Sequence, residues 1–229
     1  MLVVFILLCL ASSWIWVNYF KEIKVIQKEK LPYLILTFSL GASLYLLNYY
    51  IGANLSHFTY FKYNVLNKLI DSMLRVGFFN EILKLVPIYI VYRFFKKELN
   101  ESVSIFLFFT VSALGYTFSS NIYHAFQTGV FVFNEYSILN TLNEVFCSSL
   151  VSFAVINYRF YNKKIWSVIS YLTLAIFLSG AYGFWLYFER IYPFGVLISI
   201  LYFLFFISAF SSGLTSTINV SSSFSYLQI

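Results

Sequence analysis

Apolar runs recur along almost the whole chain, each with the roughly 20 residues that a helix needs to cross about 30 Å of hydrocarbon. We predict seven spans, near residues 2–20, 32–52, 73–95, 103–126, 139–158, 165–188 and 191–211. The chain is 60% hydrophobic and only 10% charged, and a soluble core could not hide that much apolar surface. The sequence therefore predicts an all-α fold, a polytopic transmembrane bundle of about seven helices.

The organisation along the chain is simple. We interpret residues 1–211 as a single transmembrane helical domain and the charge-free, Ser-rich residues 212–229 as a flexible C-terminal tail. Cys9 and Cys147 are isolated from each other and are predicted to be small apolar core residues. Apolar residues recur at helical spacing over 58–69, which fits either a short helix on the outer membrane surface or an ordinary loop.

The basic residues predict the orientation. Ten of the 15 follow the first, third and fifth apolar runs, in three clusters: Lys21, Lys24, Lys28 and Lys30; Arg93, Lys96 and Lys97; Arg159, Lys163 and Lys164. Cytoplasmic loops are the ones enriched in Lys and Arg, so we expect the N-terminus outside and the C-terminus in the cytoplasm. The net charge of +6 then reflects membrane topology, and no nucleic-acid partner is expected.

Polar side chains interrupt these apolar runs at Asn80, Glu81, Lys84, Asn121 and Asn143. With the predicted topology, all of them fall in the outer part of the membrane, so their helices can converge there. Polar and ionisable residues in such segments usually face the bundle interior and mark functional sites. Glu81 and Lys84 stand three residues apart and can pair on one helical face, which leaves open a purely structural role in pinning helix packing.

Four segments of the chain resemble the motifs of PrsW-type intramembrane metalloproteases. The stretch Asn80-Glu81-Ile82-Leu83-Lys84 is similar to the Glu-Glu-x-x-Lys motif of that family. Three further segments resemble its later motifs, in the same order and at matching places in the predicted helices: Gly115-Tyr116-Thr117-Phe118-Ser119-Ser120-Asn121-Ile122-Tyr123, Asn143-Glu144-Val145-Phe146, and Ser179-Gly180-Ala181-Tyr182-Gly183-Phe184. The resemblance covers about residues 73–188 and implies the fold of an intramembrane metallopeptidase.

The departures from these motifs concern the chemistry. The resemblance would place Glu at 80 and 120, His at 143 and 179, and Asp at 183, where this chain has Asn80, Ser120, Asn143, Ser179 and Gly183. Only Glu81 and Lys84 remain of the family's charged positions, and we interpret them as vestigial catalytic residues. A hydrolytic zinc site takes about three protein ligands and a water, so the substitutions argue against activity and no cofactor is expected.

The leading hypothesis is a non-catalytic binding or scaffold protein for membrane partners. A transmembrane helix of another protein would occupy an outer-facing groove lined by Asn80, Ser120, Asn121, Asn143, Ser179 and Tyr182, with membrane lipid as the other partner. One alternative is an active metalloprotease with a relocated zinc site at Glu81, His124 and Glu144. Another is a small transporter with Glu81 and Lys84 on the solute path. The resemblance implies a bacterial inner or plasma membrane.

Overall fold

The computed structural model describes residues 2–23, 31–55, 65–94, 102–129, 135–161 and 164–189. These residues are helical almost throughout, and none of them forms a strand. The described residues form seven α-helices: α1 (Leu2–Ile23), α2 (Leu31–Leu55), α3 (Val65–Asp71), α4 (Asn80–Phe94), α5 (Ser102–Thr128), α6 (Glu135–Phe160) and α7 (Ile165–Glu189). A π-helical segment, Ser72–Phe79, joins α3 to α4 without a break. The predicted all-α class is confirmed.

Four of the described helices contain stretches long and apolar enough to cross a membrane: Leu31–Ile51, Ser104–Thr128, Ser137–Phe160 and Ile165–Trp185. The predicted third span, 73–95, corresponds to the π-helical segment and α4. Several predicted features lie outside the described residues: the seventh span at 191–211, most of the residues in the three basic clusters, and the tail. The count of seven membrane crossings and the orientation of the termini therefore stay predictions.

Helix α5 forms the centre of the bundle and packs against α1, α2, α4 and α6. Its Phe108, Val111 and Leu114 are completely buried in the main hydrophobic core, together with Val91 of α4 and Cys147 of α6. Cys9 is also buried, in a smaller cluster that α1 forms with α5. Both cysteines are free, as predicted for apolar core residues.

Glycine contacts set the distance between helices at two interfaces. Gly41 of α2 faces the backbone of Ser112, and Gly115 of α5 faces the backbone of Phe38, so α2 and α5 touch main chain to main chain. Gly77 of the π-helical segment packs in the same way on α7, where a Cβ at residue 77 would lie 2.5 Å from the carbonyl oxygen of Ile176. Small residues allow this close approach of helices in membranes.

The predicted alternatives for residues 58–69 are tested only in part. Residues 56–64 lie outside the described part of the chain. From Val65 onward the chain is helical, and α3 runs directly into the π-helical segment. Val65 and Leu66 are exposed. Within the described residues, this stretch is therefore the beginning of a continuous helical rod that ends at Phe94.

Candidate functional site: an ion-paired cluster in the bundle

Lys84 lies between two carboxylates in the interior of the bundle. Its Nζ donates to Glu81 Oε1 on its own helix at 2.6 Å and to Glu144 Oε2 on α6 at 2.6 Å. The predicted pairing of Glu81 with Lys84 is confirmed. Glu144 is the second acid of the site, a role that the sequence suggested only within the relocated zinc site.

Asn80 completes this group, which we call the Lys84 cluster (Asn80, Glu81, Lys84 and Glu144). The Asn80 side-chain amide donates from Nδ2 to Glu144 Oε1 at 2.7 Å. All four residues are at most 3% exposed. Asn80 Oδ1 is buried and has no hydrogen-bond partner among the described residues. The cluster is therefore rich in hydrogen-bond acceptors and short of donors.

The π-helical segment and α7 close the other side of the cluster. The Ser72 hydroxyl donates to the Gly180 carbonyl at 2.7 Å, and the Ser179 hydroxyl donates to the Val76 carbonyl at 3.0 Å. The Ser179 oxygen also lies beside the Glu81 carboxylate. π-Helical turns occur often at functional sites, and this one ends at the residue before Asn80. It sets the rotation with which α4 presents Asn80 and Glu81.

A second polar group joins the C-terminal part of α5 to the N-terminal part of α6. Asn140 Nδ2 donates to Ser120 Oγ at 3.3 Å and to Asn121 Oδ1 at 3.1 Å. Asn121 Nδ2 in turn donates to Thr141 Oγ1 and to the Ser137 carbonyl, each at 3.4 Å. We call these five residues the Asn140 network. Sequence reasoning missed Asn140, although its position one turn before Glu144 on α6 places both on the same face.

The residues predicted to line an open groove are brought to the α4–α5–α6–α7 interior, but they are buried. Each of the six residues is at most 7% exposed: Asn80, Ser120, Asn121, Asn143, Ser179 and Tyr182. Asn143 accepts a weak hydrogen bond from the Cys147 thiol at 3.9 Å. In this structure the six side chains do not present a surface to a partner, because packing and hydrogen bonds within the bundle already enclose them.

The relocated metal site is assembled only in part. Glu81 and Glu144 meet at Lys84, whereas His124 lies near the C-terminal end of α5, half-buried, with Thr128 donating to its carbonyl. Within the described ranges, no three side chains of His, Cys, Asp or Glu come together in a group that could hold a metal ion. His124 therefore does not join the two acids.

Comparison with models of protein families identifies the family of this chain. A model of the PrsW family of intramembrane metalloproteases matches residues 29–210. The chain belongs to this family. The match extends beyond the four motif-like segments to α2 and past α7, so the relationship rests on most of the bundle, and the chain is an integral membrane protein. Comparisons with curated proteins and with solved structures find no match.

Membership of the PrsW family implies a catalytic metal, and the residues present here do not fit one. A hydrolytic zinc site needs about three protein ligands, usually imidazole, thiolate or carboxylate. The two carboxylates of the Lys84 cluster both accept hydrogen bonds from the Lys84 ammonium. The neighbouring Asn80 and Ser179 offer an amide oxygen and a hydroxyl, which are weak zinc ligands.

Proposed function

We propose that this chain is a non-catalytic member of the PrsW family that acts as a binding or scaffold protein for membrane partners. One observation carries the proposal: Lys84 and Glu81 are the charged residues that remain at the family's catalytic positions, and Lys84 donates hydrogen bonds of 2.6 Å both to Glu81 and to Glu144 of α6. The carboxylates are turned toward a fixed cation, and the other matched positions hold neutral side chains. This arrangement stabilises the bundle and offers little to hydrolysis.

Charge and hydrogen bonding explain why such a cluster suits a scaffold. A lone charged residue at the centre of a membrane helix costs about 2.5–3.5 kcal/mol on insertion scales. Pairing across α4 and α6 offsets that cost only when the two helices hold the observed rotation and depth, because the contacts depend on 2.6–2.7 Å geometry. Removing one partner of a buried pair is typically costly. The cluster therefore specifies one arrangement of the bundle.

The partner class we propose is a transmembrane helix, and the supporting surface is on α2. Ser39 and Ser43 are exposed one turn apart, and Leu36 and Leu47 flank them on the same side. The Ser43 hydroxyl donates to the Ser39 carbonyl, so its polarity is satisfied within the helix. Small residues at this spacing let two helices approach closely in lipid. The host membrane that we propose is the bacterial inner membrane.

The first experiment is zinc stoichiometry. The protein and its Glu81→Gln variant are purified without a metal-binding tag and analysed by elemental mass spectrometry. We expect zinc far below one per chain in both. About one zinc per chain in the wild type, lost in Glu81→Gln, would overturn the proposal and favour the relocated protease. A His124→Ala variant then tests whether that residue supplies the third ligand.

A second experiment tests the partner. A photo-crosslinking amino acid is placed at Ser43 and, as the control, at Tyr89, which is 67% exposed on α4. We expect one defined protein adduct from position 43 in native membranes and lipid adducts from position 89. Adducts with lipid alone at both positions would contradict the proposed helix partner. The small-transporter alternative predicts solute flux in proteoliposomes that depends on Glu81 and Lys84.

A further inference from the structure

The charges of the Lys84 cluster do not balance. Two carboxylates, Glu81 and Glu144, face a single ammonium, so the fully ionised cluster carries one net negative charge. Among the other described elements packed around it, the titratable side chains that face it are Tyr116 of α5 and Cys147 of α6, both uncharged acids in their ordinary state. From α7 the group beside Glu81 is the Ser179 hydroxyl. None of these contributes a positive charge.

An uncompensated charge in the membrane interior is strongly unfavourable, so the cluster needs one more positive charge. The space is enclosed, since Glu81, Lys84 and Glu144 are 1–3% exposed. The Lys84 ammonium already sits within 2.6 Å of both acids. The cation that completes such a site must be small, and the smallest is a proton.

The hydrogen bonds indicate which acid takes the proton. Glu144 accepts from two donors, Asn80 Nδ2 and Lys84 Nζ, one on each oxygen. Glu81 accepts from Lys84 on Oε1. Because both oxygens of Glu144 already accept a hydrogen bond, the geometry favours Glu81 as the acid that takes the proton. The Ser179 oxygen, whose own proton goes to the Val76 carbonyl, retains lone pairs that can accept an O–H from Glu81.

We propose that the Lys84 cluster is a proton-binding site that holds one exchangeable proton, carried by Glu81 and donated toward Ser179. The proton comes from the aqueous phase and adds to a carboxylate oxygen, converting Glu81 to a neutral acid, and no other bond changes. The neutral cluster then contains a Lys84–Glu144 ion pair and a protonated Glu81.

Infrared spectroscopy tests the site directly. The protein is reconstituted in lipid nanodiscs at neutral pH, and the carboxylic-acid C=O band, with its shift on H/D exchange, is measured per chain. We expect one equivalent from this cluster in the wild type. Glu81→Gln removes it, and so does Glu144→Gln, because either substitution leaves one acid to one ammonium. Asp71→Asn is the control, since Asp71 is partly exposed and paired with Arg75.

Lys84→Met gives a prediction in the opposite direction. Without the ammonium both acids must be neutral, so the band should rise to two equivalents per chain. Only samples that run as one monodisperse species and retain wild-type helical content are quantified, so that misfolded protein does not enter the comparison. Absence of the band in the wild type, its persistence in Glu144→Gln, or no increase in Lys84→Met would each overturn the proposal. The inference does not depend on the proposed scaffold function.

Discussion

Gly77→Ala is the substitution whose cost the structure allows us to work out most directly. A Cβ at residue 77 would lie 2.5 Å from the Ile176 carbonyl oxygen and 3.3 Å from Gly180 Cα. Both contacts are with backbone, so no side chain can rotate away. To regain an ordinary carbon–oxygen contact, α7 must move away from the π-helical segment by about 0.5–1 Å, which forfeits a quarter to a half of the dispersion attraction between the contacting atoms.

The same movement would stretch the Ser179 hydroxyl contact with the Val76 carbonyl, which is 3.0 Å long, toward the limit of a hydrogen bond. Overpacking of this kind costs about 1–3 kcal/mol, whereas alanine gains up to about 1 kcal/mol over glycine in helix propensity. Because the contact is with main chain, we take the upper end of the steric cost. The expected net loss is about 2 kcal/mol, or about 30-fold in the folding equilibrium.

The assay is reversible unfolding in mixed micelles by titration with a denaturing detergent, followed by circular dichroism. Ser170→Ala on α7 is the neutral control, because Ser170 is exposed and donates only to Ser167 of its own helix. Gly180→Ala should fall in between, since its nearest neighbour is the flexible Met73 thioether at 2.6 Å. A Gly77→Ala protein as stable as Ser170→Ala would refute the argument from backbone contact.

Two further substitutions test the interfaces of α5. Gly115→Ala should destabilise the bundle by about 1–3 kcal/mol, because the new methyl group meets the Phe38 backbone; unchanged stability in the same detergent titration would contradict the α2–α5 contact. Asn140→Ala removes two donated hydrogen bonds between α5 and α6 and should cost about 1–2 kcal/mol. Ser149→Ala is its control, since Ser149 donates only to Val145 within α6, and equal losses in the two variants would count against the Asn140 network.

The helices could be predicted from the sequence because their signal is local. A run of apolar residues long enough to span the bilayer identifies α2, α5, α6 and α7, and the structure places them within a few residues of the predicted ranges. The Glu81–Lys84 pair was equally predictable, since a spacing of three residues on one helix fixes the distance between the side chains.

The partners between helices were harder to predict. Glu144 and Lys84 are 60 residues apart in the sequence. Their contact depends on how α6 is rotated relative to α4. The pattern of apolar residues predicts that rotation poorly when both faces of a helix carry apolar or small residues. Asn140 was missed for the same reason. The π-helical segment has no distinct residue pattern, yet it sets the direction in which Asn80 and Glu81 point.

The polar face of α6 has a consequence for how the protein is made. This helix carries Asn140 and Glu144 into the bilayer, and a charged residue at a helix centre resists insertion. Among the described residues, every hydrogen-bond partner of these two side chains outside α6 lies on α4 or α5, which leave the ribosome earlier. When α6 inserts into the membrane, α4 and α5 have therefore already been synthesised and can pair with its polar side chains. The order of translation thus lowers the cost of inserting α6.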